Sequence, residues 1–160
     1  MSNSLEIKSK IGIFKKTIKV PGDKSLSIRW VLFASLAKGK SKARNLLMSE
    51  DVIAAIKAVK KLGIKVVIKK KECTIFGKGI EGYNYKKNLT INAQNSGTLG
   101  RLLLGLLVNS TKPINLKGDK SLSKRDFSRV SKPLSKFGVK FKLKNNNFLP
   151  LKMYGSLNLK

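Results

Sequence analysis

Histidine is absent from all 160 residues. That alone excludes a histidine general base, a histidine-containing zinc site and a Ser-His-Asp triad. Cysteine occurs once, as Cys73, so no internal disulfide can form. An isolated thiol in a β-rich stretch reads as packing, in a chain suited to a reducing cytosol. Aromatic residues make up 7% and fall mostly at positions the hydrophobic pattern gives to the core. The stacking platforms of a single-strand binder are therefore not evident. Acids are scarce, 8 Asp plus Glu, and the one adjacent pair, Glu50-Asp51, cannot face one ligand from a helix, so no general acid/base pair stands out. No apolar run approaches the roughly 20 residues needed to span a bilayer. The opening MSNSLEIKSK is neither a secretory h-region nor an Arg-rich transit helix. The expected class is a soluble, cytoplasmic chain with no membrane partner.

What is present is 41% apolar residues, enough for the core of one domain, and a formal charge of +27. Such a charge invites nucleic acid or an acidic ligand. Residue type decides how it is read. The lysines are strewn through every kind of segment, as a bias of the whole composition would leave them. Only Arg29, Arg44, Arg101, Arg125 and Arg129 carry the planar fork that grips phosphate or carboxylate at two points.

Sliding the chain against itself by about 72 to 75 positions reveals a repeat. Each unit opens with a short strand (Thr17 to Val20; Leu89 to Asn92), then a Gly/Ser-rich turn and a helix apolar on nearly every side (about Leu26 to Ala37; Thr98 to Val108). Helices of that pattern are buried. A middle strand follows (Lys42 to Leu46; Pro113 to Leu116). Next comes an amphipathic helix, with Val52, Ile53, Ile56, Val59 and Leu62 on one face and Gly63 after it. Its counterpart carries Phe127, Val130, Leu134 and Phe137, with Gly138 after it. A hairpin closes each unit: Ile64 to Lys70 with Cys73 to Phe76, and Val139 to Leu143 with Phe148 to Tyr154. The fold class is thus α/β, built from tandem β-α-β-α-β-β units, about 17–80 and 88–156. Pro133 predicts a kink or a short first turn in the last helix. Residues 1–16 read as a strand pair, Leu5 to Ile7 and Ile11 to Phe14.

Three turns depart from the apolar pattern. Pro21-Gly22-Asp23-Lys24-Ser25-Leu26-Ser27-Ile28-Arg29 opens a helix with free N–H groups, two hydroxyls, a lysine and an arginine, a recess suited to phosphate. The Walker A spacing is missing from it. In Asn95-Ser96-Gly97-Thr98-Leu99-Gly100-Arg101, Arg101 is the lone charge before LLLGLLV and needs an anionic or carbonyl partner, while Gly97 permits close approach. Gly118-Asp119-Lys120-Ser121-Leu122-Ser123-Lys124-Arg125-Asp126 echoes the first turn at an offset that is not the repeat offset. It places Arg125 beside a helix start that Asp126 would cap.

PGDKSLSIR, NSGTLGRLLLG and GDKSLSKR, in this order, resemble the N-terminal part of the 5-enolpyruvylshikimate-3-phosphate synthases, or 3-phosphoshikimate 1-carboxyvinyltransferases, from about Val20 to Gly155. The resemblance implies an inside-out α/β barrel of three such units per domain, present here in part. It implies that residues 1–16 belong to the other domain and that 17–160 form a partial substrate-binding domain. It further implies that Lys24, Ser25 and Arg29 hold shikimate 3-phosphate, with Lys24 also the catalytic lysine reaching phosphoenolpyruvate. Asn95, Gly97 and Thr98 would line the enolpyruvyl side and Arg125 would grip the phosphoenolpyruvate phosphate. The reaction implied adds the shikimate 5-hydroxyl to C2 of phosphoenolpyruvate and then expels phosphate, in the pathway to aromatic amino acids, with neither metal nor organic cofactor.

Asp126 stands where the family usually has proline, and Gln94 where it often has glycine. The family continues beyond two units, so a chain of this length is expected to be inactive alone, or to be completed by a second chain. Two alternatives are a UDP-N-acetylglucosamine carboxyvinyltransferase-like fragment, whose first turn does not read GDKSxSxR, and a non-enzymatic basic module binding nucleic acid, against which the placement of the aromatics argues.

Overall fold

In the computed structural model, residues 6, 8, 10, 12, 13, 15, 17–70 and 72–158 are described. Asp23 opens the first helix: its carboxylate accepts the Leu26 N–H at 2.6 Å and its carbonyl the Ser27 N–H at 3.0 Å. Helix α1 (Lys24–Leu36) leads into strand β1 (Lys38–Arg44), helix α2 (Glu50–Lys61) and the hairpin β2 (Lys65–Lys69) and β3 (Glu72–Lys78). The second unit is complete: β4 (Leu89–Asn92), α3 (Gly97–Leu106), β5 (Ile114–Lys117), α4 (Ser128–Lys136), β6 (Lys140–Lys144) and β7 (Phe148–Tyr154), with a 3-10 turn at Leu122–Lys124 before α4.

The sheets carry the same repeat. One is ordered β1-β3-β2, all antiparallel; the other is β4-β5-β7-β6, with β4 parallel to β5 and the remaining pairs antiparallel. Strands β5-β7-β6 thus answer β1-β3-β2, and β4 is the extra edge strand. Its counterpart in the first unit, expected at Thr17 to Val20, is not a strand. Ile18 and Val20 are exposed, and no ladder joins them to β1. Among the described residues no strand pairs with this run, and a short β-prone stretch without a partner strand gains little from extension. The expected pair at residues 1–16 is bounded by Leu5, Ile7, Ile11 and Phe14, which lie outside the described residues.

Strand β1 also differs from expectation, beginning and ending before Lys42 to Leu46. Its sequence KGKSKAR has almost no apolar content; the ladder with β3, from Lys38 opposite Lys78 to Arg44 opposite Glu72, makes it a strand. Asn45, at φ 60°, ends it. Gly77 of β3 lies against the Ala34 carbonyl of α1 and that of Ala37 at its C-cap, so helix and sheet meet where any side chain would collide.

Ile28, Val31 and Leu32 of α1 join Val52, Val59 and Leu62, Leu99, Leu103 and Leu104, and the inward strand residues Ile75, Ile91, Leu116 and Met153 in one core. Each fully buried side chain of this size contributes about 1.5–3 kcal/mol. Burial pushes the Cys73 thiol up, as its packing role requires. The expectation that α1 is buried all round is corrected. Leu26 and Phe33 are 64% and 61% exposed, because α2, α3 and β3 pack on one side of the helix and no described residue covers the other. Ile53 and Phe137, assigned to core faces from sequence, are also exposed. Phe127 is fully buried but precedes α4 instead of lying in it. Pro133 sits in the sixth position of that nine-residue helix, on its exposed side; the first turn starts with the Val130 N–H on the Phe127 carbonyl.

The outward face of the first sheet is cationic. Period-two alternation puts Lys38, Lys40, Lys42 and Arg44 of β1 on one side with Lys65 and Lys69 of β2 and Lys78 of β3, and their only acid is Glu72. Lys42, at 3.3 Å, and then Arg44, at 3.7 Å, hold the Glu72 carboxyl below the usual carboxylate range.

Candidate functional site

The echoed word Gly-Asp-Lys-Ser-Leu-Ser folds the same way twice. Asp119 accepts the Leu122 N–H at 2.6 Å, as Asp23 accepts that of Leu26. The Ser123 N–H reaches the Asp119 carbonyl as that of Ser27 reaches Asp23. It is a helix-capping word. After the first copy α1 runs for 13 residues. After the second, Leu122 is drawn into the core beneath Gly118, and Arg125 leaves the turn with extended backbone, φ −85° and ψ 141°.

At the first turn Lys24 is the first residue of α1, Ser25 is half-buried, and Arg29 is exposed one turn on. The Lys24 ammonium lies 3.1 Å from the Asp51 carboxylate at the start of α2, so an anion arriving here meets a lysine already paired. Of the two hydroxyls read as lining this recess, Ser27 is committed to the fold. It is buried, donates to the Asp23 carbonyl at 2.6 Å and accepts the Leu47 N–H at 3.1 Å.

At the second turn Ser96 caps α3 by accepting the Leu99 N–H at 3.2 Å, leaving the Gly97 and Thr98 N–H groups at the open helix end. Gln94 has φ 52°, a left-handed conformation, and its N–H is held by the Asn92 side chain at 2.9 Å. Glycine takes that conformation without cost, so the departure noted in the sequence falls on a position where backbone freedom matters. The Gln94 carbonyl accepts the Asp119 N–H at 2.8 Å and ties the second turn to the third.

That tie brings the arginines together. The Arg125 guanidinium donates to the Asn95 side-chain oxygen at 2.8 Å, and its Nη1 lies 3.2 Å from where a Gly97 Cβ would stand. Arg101 Nη1 lies 2.8 Å from the same point. Arg101 is half-buried, stacks 5.3 Å above the Phe127 ring and has the Asp126 carbonyl as acceptor at 3.4 Å, one of the two kinds of partner, anionic or carbonyl, expected for it. Two guanidinium groups and a helix N-terminus therefore share one small space, with no carboxylate bridging them among the described residues. Asp126 is not the cap expected of it, since Phe127 stands at the N-cap of α4; from one residue earlier its carboxylate accepts the Ser128 N–H at 2.6 Å, and the Ser128 hydroxyl and N–H hold that carboxyl below the usual range.

Of the residues expected to form the site, Asn95, Gly97 and Arg125 are in contact, with Thr98 next to them in the first turn of α3. Lys24, Ser25 and Arg29 form a second group on α1, which packs against α3. No hydrogen bond joins the groups among the described residues; both lie on open surface. One cleft of about 400 Å³ lies between α2 and β4 and is lined by other residues, among them Glu50, Lys57, Lys61 and Gln94. Among the described residues no three His, Cys, Asp or Glu side chains are grouped to hold a metal, and no helix is long and apolar enough to cross a membrane. Sequence reasoning left Arg101 out of the site residues although its charge in an apolar helix had marked it. It missed the Lys24–Asp51 pair because nothing in the local pattern joins positions on different helices.

Residues 8–160 match the family model described as EPSP synthase (3-phosphoshikimate 1-carboxyvinyltransferase). The 3-phosphoshikimate 1-carboxyvinyltransferase of Streptococcus pyogenes serotype M1 is 38% identical over 156 residues, covering 97% of this chain and 36% of the relative. That of Streptococcus agalactiae serotype V is 40% identical over 147 residues, covering 91% and 34%. The solved EPSP synthase from Acinetobacter baumannii superposes with a TM-score of 0.83 at 34% identity, over 89% of this chain and 33% of that one. The chain spans about a third of the length of the relatives it matches.

Proposed function

The chain belongs to the EPSP synthase (3-phosphoshikimate 1-carboxyvinyltransferase) family, and from that premise we propose that it supplies part of the substrate cleft of an enzyme joining phosphoenolpyruvate to shikimate 3-phosphate. The observation that carries the reading is the meeting of Arg125, Asn95 and Gly97 at the start of α3. A dianionic phosphate placed there accepts charged hydrogen bonds from a fixed fork and faces the positive end of a helix.

In this reading Arg125, with Asn95 as its tether, takes the phosphate of phosphoenolpyruvate, and Gly97 and Thr98 flank the enolpyruvyl group. Lys24, Ser25 and Arg29 take shikimate 3-phosphate, and Asp51 holds Lys24 in place until the ligands displace or share it. The new bond joins the 5-oxygen to C2 as the 5-hydroxyl loses its proton and C3 gains one; the C2–O bond to phosphate then breaks, inorganic phosphate leaves and C3 gives up a proton to restore the double bond. Holding two polyanions side by side is the work these residues do, and their cationic character offsets the repulsion between the substrates. Proton transfer falls to groups elsewhere in the whole enzyme. We assign 17–160 to a partial substrate-binding domain of two units and 1–16 to the other domain, with the remainder supplied by further chain or a second polypeptide.

The test is calorimetric titration of the chain with shikimate 3-phosphate and phosphoenolpyruvate, alone and together. Binding of both, weakened at least about tenfold by Arg125→Gln for phosphoenolpyruvate and by Arg29→Gln for shikimate 3-phosphate, supports the reading. Unchanged affinity in both variants refutes it.

A further inference from the structure

We propose that Arg101 is the second guanidinium of the phosphate seat and gives it a preference for the doubly ionised form of a phosphate ester. The inference rests on the function proposed above, and it assigns a residue that reading leaves idle.

Arg101 is anchored on its far side: the Phe127 ring lies beneath its plane and the Asp126 carbonyl receives Nη2. Phe127 is fully buried, and its N–H is fixed to the Asn147 carbonyl at 2.8 Å. The guanidinium is therefore held by the core, with Nη1 turned to the space above Gly97 where Arg125 Nη1 also arrives. Arg125 reaches the same space from an exposed side chain tethered by Asn95. Two cations brought together without a carboxylate repel each other, and the α3 N-terminus adds positive potential. A single negative charge neutralises half of this; a dianion neutralises both guanidinium groups and offers each an oxygen. Gly97 is what allows the arrangement, since a methyl group there would occupy the position both nitrogens approach.

The acids on the elements packed around the seat are Asp119, Asp126 and, on α2, Glu50 and Asp51; the cations there include Lys24 and Arg29 of α1, Lys120, Lys124 and Arg129. Asp119 is engaged with the Leu122 N–H, Asp126 with the Ser128 N–H and Asp51 with Lys24, while Glu50 lines the cleft between α2 and β4. The second ionisation of the ligand, near pH 6 for phosphate esters, is then the titration that governs affinity.

The experiment measures binding of inorganic phosphate and of phosphoenolpyruvate to the chain and its variants by calorimetry at pH 5 and pH 7.5, with ionic strength held by chloride. For wild type, affinity for both anions should rise severalfold between the two pH values. Arg101→Gln should bind at least about tenfold more weakly at pH 7.5 and lose most of that rise, whereas Arg101→Lys, which keeps the charge, should retain the rise. A merely structural arginine would lower affinity equally at both pH values. The proposal is overturned if wild type binds neither anion, if Arg101→Gln matches wild type, or if Arg101→Lys loses the rise; the last arm decides the matter should Arg101→Gln fail to fold. Should the Arg101 effects hold for phosphate while phosphoenolpyruvate binds no better than phosphate, the seat stands and the transfer reaction falls.

Discussion

Replacing Gly97 with alanine separates the demands of the fold from those of the site. Alanine fits the helical backbone at the first position of α3 and is favoured there over glycine by up to about 1 kcal/mol. Its methyl group would stand 2.8 Å from Arg101 Nη1, 3.2 Å from Arg125 Nη1 and 3.8 Å from a Leu122 methyl. The last is ordinary contact, and the first two are the far ends of flexible side chains. The guanidinium groups can withdraw by a few tenths of an ångström while the core stays in place. Gain and loss nearly cancel, so the unfolding free energy from urea titration should shift by no more than about 1 kcal/mol in either direction. Phosphate binding should respond far more. One displaced charged hydrogen bond is worth about 1.5–3 kcal/mol, which is a 10- to 100-fold loss of phosphoenolpyruvate affinity by calorimetry. A variant that keeps wild-type affinity while losing several kcal/mol of stability would show that Gly97 serves packing and that the arginines do not meet there to bind an anion.

Phe127→Ala should cost about 3–5 kcal/mol in urea unfolding, as a fully buried aromatic does, and Phe127→Leu much less; both remove the ring beneath Arg101 and should weaken phosphate binding alike. Gly77→Val should prevent cooperative folding, seen as a lost thermal transition, because the side chain would meet the α1 carbonyls. Asp126 has a carboxyl pKa lowered by Ser128, so its contribution is fully present above the unfolded value near 4 and is lost as pH falls through the lower folded value. Thermal melts between pH 6 and pH 2 should show a shallower acid decline in Asp126→Asn, and identical slopes would contradict the assignment. The uncovered strip of α1 should promote association, so Leu26→Ser with Phe33→Ser should lower the apparent mass in sedimentation.

The architecture was largely legible because each unit repeats a pattern of periodicities: the hairpins, α2 with Gly63 after it and the helix ending before Gly138 appear within a few residues of the reading. The failures share a cause. Thr17 to Val20 has strand composition but no partner strand among the described residues, whereas Lys38–Arg44 has almost no such composition yet forms a ladder, so pairing overrode propensity in both. The all-round apolar pattern of α1 was taken for complete burial, although a pattern cannot say what stands against each face. In the site, the three turns and their arginines were visible as charge in the wrong company. The identity of their ligands came from the resemblance alone. That Arg101 and Arg125 meet above Gly97, and that Lys24 reaches Asp51, are facts of tertiary placement between segments some 25 residues apart, which no local pattern encodes.

The lysine-covered side of the β1-β3-β2 sheet affects how quickly small anions find the protein. Seven like charges offset by one acid hold a dense atmosphere of mobile counter-ions. In dilute buffer such a field can hasten encounter by about 10- to 1000-fold. At physiological salt it fades within about 8 Å of the surface, and arrival rates become those of ordinary diffusion. Capture kinetics measured in dilute buffer will therefore flatter this chain, and only those taken near 0.15 M salt describe its behaviour in a cell.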